Sequence, residues 1–200
     1  MTRTALFTVL LAVSLPVFVR LSAAPVAATR SIKRGDGDSV LAKAPETRQL
    51  LLDIITVTGL QPNFELKEAS VLNIEAAISH RKRYILYNPS FINSLYTVTK
   101  DKWAATALLA HEVGHHLNGH TIRKGGSSPR LELEADEFAG FILYKLGASL
   151  EQAQSVMNYI AKPGRSKTHP GKNSRMEAIR KGWDKAAAAV NNTVVTARAK

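Results

Sequence analysis

The stretch ALLAHEVGHHLNGH, Ala107 to His120, crowds four of the chain's six histidines into ten residues. It lies in a segment of helical character, DKWAATALLAHEVGHHLNG, with Asp101 placed to cap its start and Gly119 near its end. On a helix an i, i+4 pair projects from one face, so His111 and His115 can reach one cation. Glu112 lies beside them with its carboxylate free to take a proton from a water on that cation. This HExxH pattern constrains the fold strongly. Two imidazoles leave a metal short of ligands, so a third group has to be brought against the same helix face.

Two places compete to supply it. An HExxHxxGxxH arrangement needs Gly and His where Asn118 and Thr121 stand; Gly119 and His120 each fall one residue early. A slip of one residue turns a helical side chain by about 100°, which takes His120 away from the ligand pair. His116 and His120, four apart on a different face, therefore read as structural or exposed. The other place is the next predicted helix, SPRLELEADEFAGFILYKLG, with Ser128 as cap, Pro129 in its first turn and Gly147 as stop. Glu132 and Asp136 stand there at i, i+4 on one face. One carboxylate can bind the metal while the other accepts the free ring N–H of a ligand histidine and sets its tautomer. The Gly-Gly-Ser-Ser turn before this helix makes a helical hairpin that brings the two faces together. Glu134 and Glu137 point elsewhere and read as surface charges. Zinc, one per chain, suits these ligands and leaves a fourth position for water.

The remaining elements are an α+β set. PETRQLLLDIITVTG reads as a helix closed by Gly59. NFELKEASV, NIEAAIS and RYILYNP read as short strands of a small, mostly antiparallel sheet, with HRKR, His80 to Arg83, as a tight basic connection. Tyr84, Ile85, Leu86 and Tyr87 could form the sheet edge that takes an extended peptide as an extra strand. Asn88-Pro89 starts a helix over SFINSLYTV. Ser149-x-x-Gln152 is a capping box opening a helix that ends before Pro163, and NSRMEAIRKGWDKAAAAV reads as the last helix. Gly114, between the histidines, allows another backbone to approach closely.

Taken together, HExxH, the following ELEAD and then THPGKNSR, Thr168 to Arg175, resemble the gluzincin family of HtpX and the CAAX prenyl proteases, in particular its small secreted or periplasmic members. The likeness covers roughly Arg83 to Trp183. It implies a mainly helical zincin-like single domain with HExxH on a central helix, His111, His115 and Glu132 as zinc ligands, and Glu112 as catalytic base. Asp136 is implied as the partner of a ligand histidine. His169 inherits a position over the active site, in some relatives capping the metal, and Arg175 follows as in the family pattern. The implied activity is zinc-dependent hydrolysis of peptide bonds in exported or envelope proteins. Unlike the membrane-embedded relatives, the chain has no apolar run past its N-terminal segment long enough to span a bilayer.

The N-terminal segment has the layout of a secretory signal peptide over residues 1–28: a basic start, the apolar run ALFTVLLAVSLPVFV, and small residues before a cleavage point after Ala28. Residues 29–44 read as a flexible lead-in, 45–190 as the metallopeptidase domain, and 191–200 as a frayed basic tail. An exported, periplasmic or secreted protein is expected. The chain has no cysteine, so neither disulfides nor a cysteine-rich structural zinc site can hold it together. The net charge of +11 carries no nucleic-acid motif with it, and a basic surface facing an anionic envelope or acidic unfolded substrates is the milder explanation. Two other functions stay open: a latent peptidase in which His169 takes the fourth metal position, and a non-catalytic basic module that keeps zinc for stability.

Overall fold

A computed structural model describes residues 43–122, 127–161, 163–164, 166 and 168–198. The signal-like segment 1–28, lead-in residues 29–42 and the first half of the Gly-Gly-Ser-Ser turn lie outside the described residues. The architecture is α+β, with seven described helices and one three-stranded sheet: α1 (Lys43–Thr58), β1 (Glu65–Glu68), β2 (Ile74–Ser79), β3 (Lys82–Tyr87), α2 (Pro89–Thr99), α3 (Trp103–Leu117), a 3-10 turn (His120–Ile122), α4 (Pro129–Lys145), α5 (Leu150–Gln154), α6 (Met157–Ile160) and α7 (Lys172–Arg198). None of the described helices is long and apolar enough to cross a membrane.

Helix α3 is enclosed: every residue from Ala104 to His116 is buried. Its alanines and leucines favour helix intrinsically, and its small residues let neighbours approach from all sides. Asp101 contributes at the start, its Oδ1 accepting from Trp103 N at 2.8 Å. Leu109 joins Ile54 of α1, Ile85 of β3, Ile92 of α2, Ile142 and Leu143 of α4 and Ile179 of α7 in one core. Gly114 faces α4, where an added Cβ would stand 3.3 Å from Ala135 Cα and 3.0 Å from Phe138 Cδ1.

The sheet is mixed rather than mostly antiparallel. Its order is β1-β3-β2, with β1 parallel and β2 antiparallel to β3. The β2–β3 hairpin turns at His80 and Arg81, both at positive φ, the backbone a two-residue I′ connection needs. The first strand then returns on the far side of β3 instead of pairing with its sequence neighbour. This makes β3 the central strand, bonded along both sides. Tyr84 to Tyr87 consequently offer no free edge to a peptide, and that expectation is corrected: the open edges belong to β1 and β2.

Further along, α2 is capped by Asn88, whose Oδ1 accepts from Ser90 N at 2.9 Å. Ser128 stands at the α4 N-terminus in extended backbone, but its side chain makes no capping bond. The Ser149–Gln152 capping box is present with both reciprocal bonds. Beyond it the single expected helix breaks into α5 and α6. Ser155 Oγ bonds back to Gln152 O at 2.9 Å, and the amides of Ser155, Asn158 and Tyr159 bond three residues back, which tightens the α register into a 3-10-like turn. Helix α7 runs to Arg198, through most of the stretch expected as a tail.

Helices α4 and α7 touch almost backbone to backbone. A Cβ on Gly140 would lie 2.0 Å from Ile179 O, and one on Gly182 would lie 1.8 Å from Glu137 O. Only glycine permits that approach, and it brings the first turns of α7 within reach of the polar face of α4.

Candidate metal centre

Three buried side chains from two helices converge between α3 and α4. His111 and His115, one turn apart on α3, bring their Nε2 atoms to 3.0 Å from each other. Glu132, in the first turn of α4, places Oε2 at 3.5 Å from His111 Nε2 and Oε1 at 3.6 Å from His115 Nε2. One ligand atom from each lies within 4.8 Å of the others, so the group could hold a metal ion.

The group fits a cation better than it fits itself. Glu132 is fully buried, and although Ser127 Oγ donates to its Oε1, its Oε2 has no hydrogen-bond partner. An unpartnered carboxylate oxygen away from water is costly. A divalent cation would meet that oxygen and both facing Nε2 lone pairs at once.

Electrostatics point the same way. Burial alone would lower the His111 pKa, but Asp136 and then Glu132 outweigh it and hold it up at about 10. Burial and the neighbouring charge of His111 push His115 down to about 3. Burial opposes charge on Glu132, yet His111, His115 and Arg175 hold it well below the usual carboxylate range. Without an ion the centre thus holds one positive charge, the proton on His111, and rejects a second on His115; a bound cation would take the place of that proton.

Each histidine has a partner behind it. His111 Nδ1 lies 2.9 Å from Asp136 Oδ1, and Asp136 takes two 2.7 Å bonds from Arg175, to Oδ2 from Nε and to Oδ1 from Nη2. Arg175 comes from the first turn of α7, where the glycine contact between α4 and α7 delivers it. Behind His115 stands His120, with the two Nδ1 atoms 3.0 Å apart. His120 Nε2 in turn lies 2.9 Å from Glu134 Oε2, and Glu134 meets Arg130.

Of the two readings of His120, structural or exposed, the exposed one is excluded: it is buried and touches a candidate ligand. The 100° argument assumes helix through position 120, but α3 ends at Leu117. Gly119, at φ 71°, turns the chain and the following 3-10 turn swings His120 back toward His115. Gly119 was the available signal, since a left-handed glycine at a helix end reverses the chain. Glu134, with its side chain 41 % exposed, is also more than a surface charge because it ends this line of contacts. His116 is buried too and tethers the sheet: its Nε2 lies 2.9 Å from Tyr84 O, and its ring stacks on Phe64.

Glu112 reaches the sheet from the cavity it shares with His111. Its Oε2 accepts from Ala76 N of β2 at 2.7 Å, so the outward-facing amides of β2 overlook the HExxH turn. Burial raises Glu112 to about 8, with His111 pulling it back down. The cavity lined by Asn73, Ile74, Leu108, His111, Glu112, Ile160 and Arg175 encloses about 10 Å³, room for about one water. His169, on the loop before α7, sets Nε2 at 3.9 Å from Glu132 Oε2 with its side chain 22 % exposed. It stands beside the group of three without joining it.

No protein family, curated protein or solved structure matches this chain.

Proposed function

We propose that the chain is a zinc-dependent metalloendopeptidase, a zincin-like domain of the gluzincin kind related to HtpX and the CAAX prenyl proteases, acting on exported or envelope proteins. The observation that carries this reading is the buried convergence of His111, His115 and Glu132, with Glu112 adjacent on the same helix turn. Two imidazoles and one carboxylate are a donor set suited to zinc, and a purely structural zinc site has no use for Glu112.

Zinc held there would supply Lewis-acid polarisation of a peptide carbonyl and let a neighbouring water act as nucleophile near neutral pH. His111, His115 and Glu132 hold the ion, and Asp136 with Arg175 fixes the ring of His111. Glu112 takes the proton of the attacking water and returns it to the leaving amine. Its raised pKa suits a carboxyl that must both accept and give up a proton. An extended peptide would lie along the outer edge of β2, whose Ala76 amide faces Glu112, rather than along β3.

Purified protein should contain about one zinc per chain and cleave an unfolded substrate such as casein in a chelator-sensitive way. Glu112→Gln should keep the zinc and lose cleavage by about 100-fold or more. Protein without zinc, or a Glu112→Gln variant as active as wild type, would reject the reading.

The closed cavity favours a second form of the same function. With Glu112 2 % exposed and room for little more than one water beside it, the described conformation admits no peptide. A latent peptidase with His169 as the gate explains this, since His169 already borders the ligand group. His169→Ala then raises the cleavage rate; an unchanged or lower rate removes the gate from the account.

A further inference from the structure

We infer that His120, oriented by Glu134, is the positioning residue for His115: it fixes the tautomer and ring angle with which His115 meets the metal. The inference rests on the metal reading of the site and adds a residue to it.

With His115 Nε2 given to a metal, one pattern of protons fits the contacts behind it. His115 directs Nε2 at the ligand group, 3.0 Å from His111 Nε2 and 3.6 Å from Glu132 Oε1. A neutral imidazole that offers Nε2 to a cation carries its proton on Nδ1. That proton faces His120 Nδ1 at 3.0 Å, so His120 must accept there with a lone pair. Its own proton then sits on Nε2, facing Glu134 Oε2 at 2.9 Å. An ionised carboxylate can only accept, so Glu134 determines the direction of the whole line. With the opposite tautomer of His120, two N–H groups would confront each other at the first contact and a lone pair would face a carboxylate at the second.

Packing adds ring-angle control. The two rings meet edge-on, centroids 5.1 Å apart and planes at 70°, and both residues are buried. Arg130, one turn before Glu134 on α4, anchors the carboxylate. Groups that orient a ligand in this way are worth about 10- to 100-fold in metal affinity.

The test is a zinc competition titration against a chelating dye on the full chain, with the visible absorption of the cobalt(II)-loaded form as second readout. His120→Leu removes the acceptor and should weaken zinc binding about 10- to 100-fold and shift the cobalt bands. His120→Asn, whose Oδ1 can replace the Nδ1 acceptor, should recover most of both. Glu134→Ala, at the exposed end, should weaken binding in the same direction by less, and it decides the matter with His120→Asn if His120→Leu does not fold. Zinc affinities within about twofold of wild type in the folded variants, or His120→Asn binding no better than His120→Leu, would overturn the inference. Zinc binding with no cleavage by either wild type or His169→Ala refutes the peptidase reading and leaves this one standing; wild type that binds no zinc refutes both.

Discussion

Behind the two histidines of HExxH stand two different supports. On the His111 side the support is ionic and deep: Asp136 and Arg175 are both buried and joined by two 2.7 Å bonds. On the His115 side it passes through a second imidazole ring, His120, and ends on Glu134 at the surface. The first ties three elements together, since Arg175 belongs to α7, Asp136 to α4 and His111 to α3. The second spans a helix end and one turn of α4. The difference teaches that one ligand pair can be served by a support that also holds the fold and by another that mainly orients a ring.

The largest effect should come from breaking the ionic support. Arg175→Met leaves Asp136 buried with His111 but without its guanidinium partner, which should cost about 3–5 kcal/mol of unfolding free energy in denaturant titration. A loss below about 1 kcal/mol would erase the distinction between the two sides. Next, Gly140→Ala forces a Cβ to within 2.0 Å of Ile179 O, so α7 has to move away from α4. The expected cost is about 1–3 kcal/mol, with weaker zinc binding because Arg175 moves as well. Intact zinc affinity in a destabilised Gly140→Ala protein would show that the position of Arg175 does not depend on this contact.

On the other side Glu134→Ala should change stability by no more than about 1 kcal/mol, because the Arg130–Glu134 pair is exposed. Its effect belongs in metal affinity. Equal stability losses for Glu134→Ala and Arg175→Met would mean that both supports hold the fold.

A control from outside both supports has the smallest effect at neutral pH. Burial pushes the Tyr87 hydroxyl up to about 12, and its bond to Glu68 adds to the shift. The folded pKa is raised above the ordinary value of 10.0, so this contribution to stability is complete below pH 10 and is lost as pH rises through about 12. Tyr87→Phe should flatten the decline of stability across that window in alkaline denaturation and leave zinc affinity unchanged. A variant with the same alkaline decline would show that Tyr87 does not drive it.

Much of the centre was legible along the chain because it obeys helical periodicity. His111 and His115 share a face by their spacing, and so do Glu132 and Asp136 on the next helix. Capping signals at Asn88 and Ser149, and Gly59 after α1, are equally local. What failed was reading past a break in period. The rule that excluded His120 holds only while the helix continues, and α3 stops three residues earlier. The helix drawn from Ser149 to Pro163 broke for the same kind of reason, as Ser155 bonded back to the chain.

By itself the sequence determined which side chains could stand together on one helix: a ligand pair with a base beside it, and a carboxylate pair to face them. Those follow from a 3.6-residue repeat and need no knowledge of the rest of the chain. Only the tertiary structure decided that β2 rather than β3 lies at the edge over Glu112, that Arg175 completes Asp136, and that His120 returns to His115. Strand order, helix–helix approach and chain reversal depend on contacts between residues far apart in sequence, and local periodicity carries no record of them.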